Sequence, residues 1–130
     1  MLASPMHQAK ILVVDDSRAI RLSLVRTLSA AGFEVFVACD GFEAVSKVRD
    51  VEPDLVILDI QMPGMDGYDA CNEILQQYGP LPFVFLTNNR ASHLSALGDQ
   101  LGAYLPKPAD DETLIKTVRN LLLPVPTQSC

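Results

Sequence analysis

Five polar residues follow apolar runs in the sequence and carry groups that suit phosphoryl chemistry: Asp15, Asp16, Asp59, Thr87 and Lys107. Three carboxylates held close together repel one another and raise their own pKa values unless a cation lies between them. Oxygen ligands of this kind suit Mg²⁺, which takes a few carboxylates and keeps several waters. Because a hydroxyl and an ammonium beside them would bind phosphoryl oxygens, the set predicts phosphoryl transfer to a carboxylate.

Asp59 is the residue around which this prediction is built. It follows the apolar residues 55–58 and precedes the turn residues Pro63 and Gly64. A short apolar run bounded by turn residues is typical of a strand buried on both faces, as in parallel sheets covered by helices. Open sheets of this kind bind ligands at the carboxyl ends of their strands. We therefore expect the five polar residues to converge at one edge of a sheet.

Strand-like runs alternate with amphipathic stretches along the whole chain. Strands are predicted near residues 11–14, 34–38, 54–59, 83–86 and 104–105. Helices are predicted after Ser17, after Asp40-Gly41, after Gly67, around Leu94, Leu97 and Leu101, and after Asp110 or Asp111. In the third helix, helical spacing predicts a buried face of Cys71, Ile74, Leu75 and Tyr78. The alternation predicts an α/β fold with a doubly wound, five-stranded parallel sheet.

The composition is typical of one globular domain: the chain has 130 residues, of which 48% are hydrophobic and 20% charged. We place the domain at residues 10–123, between a flexible N-terminus at 1–9 and a flexible tail at 124–130.

The net charge of −6 disfavours direct nucleic-acid binding. Three scattered cysteines indicate reduced thiols. With neither a signal peptide nor a long apolar run, we expect a cytoplasmic protein without membrane insertion.

The same residues carry a resemblance to a known family. Over residues 10–123 the chain resembles a response-regulator receiver domain, the phospho-accepting part of two-component signalling. The matching pieces are residues 11–17, residues 53–67, Thr87 and residues 104–108. The resemblance implies a flavodoxin-like (βα)5 receiver fold. A stand-alone regulator of the chemotaxis or motility type and a phosphorelay shuttle both fit, and Pro124 and Pro126 could equally begin a linker to a further domain.

The resemblance also implies roles for the acidic residues. Asp59 is similar to the aspartate that takes a phosphoryl group from a histidine kinase or a histidine phosphotransfer protein. Asp16 resembles the direct Mg²⁺ ligand, and Asp15 resembles a ligand that acts through water. Asp59 also belongs to this metal set, and Gln61 would lend a backbone carbonyl. Because the domain would modify only itself, we do not expect an enzyme acting on a separate substrate.

Four further positions take their expected roles from the family. Thr87 would bind the phosphoryl group through its hydroxyl, and Lys107 would pair with it. Lys107-Pro108 is a candidate for a cis peptide bond. Tyr104 stands where the family has an aromatic residue whose rotamer changes with phosphorylation, so Thr87 and Tyr104 form the expected switch. The expected partners are the phosphodonor protein and a downstream effector protein, and the resemblance also allows a homodimer.

Two positions depart from the family pattern. Asn88 follows Thr87 where the family usually has Ala or Gly, and a bulkier amide there would narrow access to Asp59. Gly102-Ala103 lies directly before Tyr104, so the segment between the fourth helix and the fifth strand is shorter than usual by two residues.

Two alternative functions use the same residues differently. An aspartate-based Mg²⁺ phosphohydrolase needs a second acid two residues after the nucleophile, where this chain has Gln61. A receiver-like domain that signals without phosphate is the other alternative, and the intact acid set argues against it. A flavodoxin-type cofactor binder is disfavoured because no glycine-rich or Ser/Thr-rich phosphate loop follows the first strand.

Overall fold

The computed structural model describes residues 8–87 and 102–123. These contain five strands and four helices, in the order β1 (Lys10–Val14), α1 (Arg18–Ala30), β2 (Glu34–Ala38), α2 (Gly41–Val51), β3 (Leu55–Asp59), α3 (Gly67–Tyr78), β4 (Phe83–Thr87), β5 (Gly102–Pro106) and α4 (Asp111–Leu122). The predicted helix around Leu94, Leu97 and Leu101 lies outside the described residues, and so does Asn88.

The five strands form one parallel sheet in the order β2-β1-β3-β4-β5. Residues 55–58 of β3 are fully buried, because the chain is apolar there and both faces of the strand are covered. Leu24 and Leu28 of α1 and Leu114 and Val118 of α4 pack on one face of the sheet. Helices α2 and α3 cover the other face, so the predicted doubly wound sheet is confirmed.

Each of the four helices begins at a polar residue whose side chain accepts a hydrogen bond from a backbone N–H three residues later. These N-caps are Ser17, Asp40, Asp66 and Asp110. Such caps satisfy donors that the first helical turn leaves free, and they fix the point at which the chain leaves each strand end. The helices predicted after Ser17 and after Asp110 or Asp111 thus begin at the N-caps Ser17 and Asp110, which follow the carboxyl ends of β1 and β5.

Two details of the predicted elements were wrong. Strand β5 begins at Gly102 instead of Tyr104, because Gly102 and Ala103 already pair with Phe83 and Val84 of β4. Tyr78 is 37% exposed and does not belong to the buried face of α3, since it occupies the last residue of the helix and its hydroxyl donates to the Val45 carbonyl.

Candidate functional site: a buried acid cluster at the carboxyl edge of the sheet

The strand register brings the predicted site residues to one edge. Val14 pairs with Leu58 and Asp59 pairs with Leu86, so Asp15 and Asp59 follow neighbouring strands at nearly the same height. Thr87 pairs with Pro106, which places Lys107 immediately beyond Thr87, and the Lys107 amide donates to the Thr87 carbonyl at 2.9 Å. Parallel pairing alone therefore accounts for the convergence of these residues.

Three carboxylates meet at this edge, and we call Asp15, Asp16 and Asp59 the acid site. One carboxylate oxygen from each residue lies within 4.8 Å of those of the other two. Asp15 is 0% exposed and Asp59 is 1% exposed, whereas Asp16 faces the solvent. Among the described residues, the buried polar or charged ones are Asp15, Asp59 and Thr87. All three were predicted as site residues, which indicates that burial of polar groups in this domain is concentrated at the site.

Lys107 lies between the two buried carboxylates. Its Nζ is 3.2 Å from Asp15 Oδ2 and 3.2 Å from Asp59 Oδ2, and its side chain is 11% exposed. One ammonium therefore faces two carboxylates, which leaves an excess negative charge inside the fold. The predicted cis peptide bond between Lys107 and Pro108 is present.

Backbone N–H groups hold the other oxygens of the two buried acids. The Ser17 amide donates to Asp15 Oδ1 at 2.9 Å, and the Gln61 amide donates to Asp59 Oδ1 at 3.1 Å. Gly67 packs so closely under the strand end that a Cβ atom there would lie 2.6 Å from the Asp59 carbonyl oxygen. Main-chain groups thus hold one oxygen of each carboxylate, while the Lys107 ammonium faces the other oxygen of both.

The charge imbalance is visible in the pKa values of the site. Burial raises the pKa of Asp59, and the neighbouring Asp15 raises it further, while Lys107 and the Gln61 amide oppose the shift. Burial by itself would lower the pKa of Lys107, but Asp15 and Asp59 together raise it. Burial is thus the main cause of the raised pKa of Asp59, whereas the two neighbouring carboxylates are the cause of the raised pKa of Lys107.

The acid site fits a divalent cation by its donor set. Asp15 Oδ2 and Asp59 Oδ2 are buried and receive no directed hydrogen bond from the residues that the structure describes. All the available ligands are carboxylate oxygens, and one of the three residues is open to solvent, so a cation could retain water. The cluster therefore has the chemistry that a hard cation such as Mg²⁺ requires, and it has more negative charge than Lys107 offsets.

Tyr104, the expected switch residue, packs on the α3 face of the sheet. Its ring centroid is 5.1 Å from that of Phe85, and its hydroxyl is 2.7 Å from the hydroxyl of Tyr68. The Tyr68 ring is 5.7 Å from Phe85, so these three residues form one group, which we call the aromatic cluster. Burial raises the pKa of Tyr104, and the hydrogen bond with Tyr68 contributes to this shift.

Two residues with roles in this region were missed in the sequence. Tyr68 lies three residues before Cys71 and seven before Leu75, so helical spacing could have placed it on the inner face of α3. No role was predicted for Arg21, but its Nη1 donates to the Asp15 carbonyl at 2.7 Å. Its position one turn after the N-cap Ser17 was the available signal, because such a side chain reaches back over the helix start.

The fold and the acid site define the class of protein. Residues 11–119 match the family model described as response regulator receiver domain. This match covers most of the chain, and the chain therefore belongs to the receiver domain family of response regulators in two-component systems.

Individual relatives agree with this assignment. Response regulator MprA of Mycobacterium sp. (strain KMS) is 42% identical over 115 residues, which are 87% of this chain and 50% of that relative. The chain thus spans about half the length of the curated relatives it matches. The chemotaxis protein CheY4 of Vibrio cholerae has a TM-score of 0.83 at 37% identity, covering 89% of this chain and 100% of that chain. A receiver domain of an HD domain-containing protein from Pseudomonas fluorescens has a TM-score of 0.82 at 31% identity, covering 93% and 91%.

Within residues 8–87 and 102–123, no helix has both the length and the apolar character needed to cross a bilayer.

Proposed function

We propose that the chain is a phospho-accepting receiver in which Asp59 takes a phosphoryl group from a histidine kinase or a histidine phosphotransfer protein. The observation that carries the proposal is the buried pair of Asp15 and Asp59 sharing Lys107, with Asp16 at the open side. Structural acids are normally exposed or matched one to one by cations. An excess of buried carboxylate charge destabilises a domain, so its retention favours a role in chemistry.

In the proposed reaction, an Asp59 carboxylate oxygen attacks phosphorus. The new oxygen–phosphorus bond forms while the bond from phosphorus to the histidine nitrogen breaks, and the imidazole leaves with that electron pair. The Lys107 ammonium, 3.2 Å from Asp59 Oδ2, and the Thr87 hydroxyl at the end of the neighbouring strand would bind the transferred oxygens. Asp15, Asp16, Asp59 and the Gln61 carbonyl would hold Mg²⁺, which supplies charge neutralisation for the transferred group.

The proposed output is a change of protein-binding surface. Thr87 and Tyr104 lie on the neighbouring strands β4 and β5, so a shift of Thr87 toward new phosphoryl oxygens would be passed to β5 by direct strand contact. The partners that we propose are a phosphodonor protein and a downstream effector protein, with a homodimer as a further form, in the cytoplasm. The domain would catalyse only its own phosphorylation and dephosphorylation.

The experiment is phosphoryl uptake from a small donor. The protein is incubated with acetyl phosphate and Mg²⁺, and the intact mass is measured over time. The expected result is the addition of one phosphoryl group. When excess EDTA is added before the acetyl phosphate, we expect no adduct to form. The absence of an adduct under conditions that modify an established receiver would contradict the proposal, and it would favour a domain that signals without phosphate.

Matched variants locate the site. Asp59→Asn should remove uptake completely, because the amide is not a nucleophile of comparable strength. Asp66→Asn is the control, since Asp66 caps α3 seven residues away and Asn is an equally good N-cap. Uptake that survives in Asp59→Asn would move the acceptor to another residue. Continuous release of phosphate from many small esters would instead indicate the phosphohydrolase.

A further inference from the structure

Arg21 differs from the other arginines of α1. Arg18 and Arg26 are exposed, whereas Arg21 is half-buried. Its guanidinium extends toward the end of β1, where Nη1 donates a 2.7 Å hydrogen bond to the main-chain carbonyl of Asp15. Charged donors form stronger bonds than neutral ones, and partial burial protects this bond from competition by water. Arg21 is therefore a fixed part of the turn that carries Asp15 and Asp16.

The Arg21 bond completes the restraint of Asp15. The Asp15 amide donates to the Ala38 carbonyl at 3.2 Å, and its Oδ1 accepts from the Ser17 amide at 2.9 Å. Its Oδ2 pairs with Lys107 at 3.2 Å. The carbonyl is the one remaining polar group of Asp15, and it belongs to the peptide that links Asp15 to Asp16. Arg21 thus sets the orientation of the peptide plane from which Asp16 projects.

The charge of Arg21 also acts on Glu43, a carboxylate near the end of β2. Glu43 accepts a 2.8 Å hydrogen bond from the Cys39 amide at the end of β2. That hydrogen bond is the main cause of the lowered pKa of Glu43, and the Arg21 guanidinium adds to the effect. The geometric contact of Arg21 is therefore the one with the turn after β1, and its positive charge also acts on Glu43 at the start of α2.

We propose that Arg21 is a positioning residue for the metal site. By holding the peptide between Asp15 and Asp16, it keeps the exposed Asp16 carboxylate aimed at the buried oxygens of Asp15 and Asp59 before the cation arrives. Asp16 needs this support because it is exposed and could otherwise sample many orientations. This inference rests on the proposed Mg²⁺ site and assigns to Arg21 no contact with the cation or the phosphoryl group.

Positioning and simple electrostatics predict opposite signs, which makes the inference testable. If Arg21 acted only as a positive charge near the acid site, its removal would strengthen Mg²⁺ binding, since like charges repel. If Arg21 orients Asp16, its removal weakens Mg²⁺ binding, because the ligand must be ordered when the cation binds. Loss of supporting hydrogen bonds around metal ligands commonly costs about tenfold or more in affinity.

The test is calorimetric titration of Mg²⁺ into the metal-free protein, without any phosphodonor. Arg21→Met keeps the apolar stem and removes the donor, and its dissociation constant should rise about tenfold. Arg21→Lys keeps the charge and one donor direction, so it should recover part of the affinity. Arg18→Met removes the same charge from the same helix at an exposed position, and its dissociation constant should stay within about twofold.

Two further measurements separate positioning from general damage. The amide resonances of Asp16 and Ser17 should shift in metal-free Arg21→Met, because the turn has lost its restraint, while those of α4 stay in place. At saturating Mg²⁺ the rate of uptake from acetyl phosphate should approach that of the wild type. If Arg21→Met does not fold, Arg21→Ala replaces it, because it also removes the donor and suits a helix, and the same rise in the dissociation constant is expected.

Two results would overturn the inference in distinguishable ways. A wild-type protein that binds Mg²⁺ and an Arg21→Met variant of equal or higher affinity would remove the positioning role and leave the metal site standing. A wild-type protein without measurable Mg²⁺ binding would remove the proposed metal site and this role together.

Discussion

The acid site lies at the ends of β1 and β3, the aromatic cluster lies on β4, β5 and α3, and the two are held together by different forces. In the acid site, two buried carboxylates are oriented by backbone N–H groups and share one lysine. The repulsion between the two carboxylates therefore opposes their attraction to Lys107. In the aromatic cluster, Tyr68, Phe85 and Tyr104 pack ring against ring and close with one neutral hydrogen bond. The first arrangement is suited to a reaction and the second to stability.

This contrast has a physical consequence for substitutions. Groups in the acid site repel one another unless a cation is present, so their removal changes the fold's stability in a direction that depends on Mg²⁺ and pH. Groups in the aromatic cluster contribute packing and a satisfied hydrogen bond, so their removal costs stability under all conditions. Four predictions test the contrast, in order of decreasing effect.

Removal of the Lys107 ammonium, which Asp15 and Asp59 share, should have the largest effect on stability. Lys107→Met leaves Asp15 and Asp59 buried without a positive partner, and breaking a buried pair in this way costs about 3 kcal/mol of unfolding free energy. We expect this loss in urea denaturation with EDTA and a clearly smaller loss with Mg²⁺, because the cation offsets the same charges. The control is Lys116→Met on the exposed face of α4, which should change stability by less than about 0.5 kcal/mol. An equal loss with and without Mg²⁺ would contradict the contrast.

A methyl group at Gly102 tests the strand that carries Tyr104. A Cβ atom there would overlap the Phe83 carbonyl oxygen, and the backbone has a φ of +154° that side chains disfavour. Gly102→Ala should therefore lower the unfolding free energy by about 2–3 kcal/mol, independently of Mg²⁺. Gly32→Ala is the control: Gly32 follows α1 with a positive φ of +100° and has open space around it, so only the conformational cost of about 1–2 kcal/mol remains. Equal losses in the two variants would mean that the strand is free to shift.

The hydroxyl pair of the aromatic cluster should give a smaller, coupled effect. Tyr68→Phe and Tyr104→Phe should each cost about 1 kcal/mol, because each leaves one half-buried hydroxyl without its partner. The double variant should cost less than the sum, which a double-mutant cycle in urea denaturation measures directly. Tyr78→Phe is the matched control, since its hydroxyl lies near the surface and makes a longer bond of 3.3 Å. Strictly additive losses would mean that the two hydroxyls do not interact.

The pH dependence of Asp59 should give the smallest effect. Because the pKa of Asp59 is raised in the folded state, the folded protein binds its proton more tightly than the unfolded chain does. In EDTA, stability should therefore fall as the pH rises from the ordinary range of aspartate, about 4, through the raised value. Asp59→Asn should remove this slope and raise the melting temperature at neutral pH by about 2–4 °C. A wild-type slope of opposite sign in this window would show that Lys107 dominates the site.

The extent to which the sequence predicted these two regions differs for a clear reason. Asp15, Asp59, Thr87 and Lys107 each terminate an apolar run, and parallel strands bring their carboxyl ends together whatever else the fold does. Residues 104–105 are too short to reveal the full strand, and β5 extends back to Gly102 because that glycine admits the Phe83 carbonyl against its backbone. The hydrophobic periodicity and the composition of this segment do not indicate such a close approach of two backbones.

The sequence by itself determined the alternation of strands and helices, the parallel sheet and the edge at which the acids meet, because these follow from local periodicity and from the geometry of parallel strands. Only the tertiary structure decided that Lys107 is shared by two carboxylates, that Tyr68 closes the aromatic cluster, and that Arg21 holds the carbonyl of Asp15. Each of these contacts joins groups from different elements across a few ångströms. Helical spacing indicates which face of a helix Tyr68 and Arg21 occupy, but the partner of each residue depends on how the helices pack on the sheet.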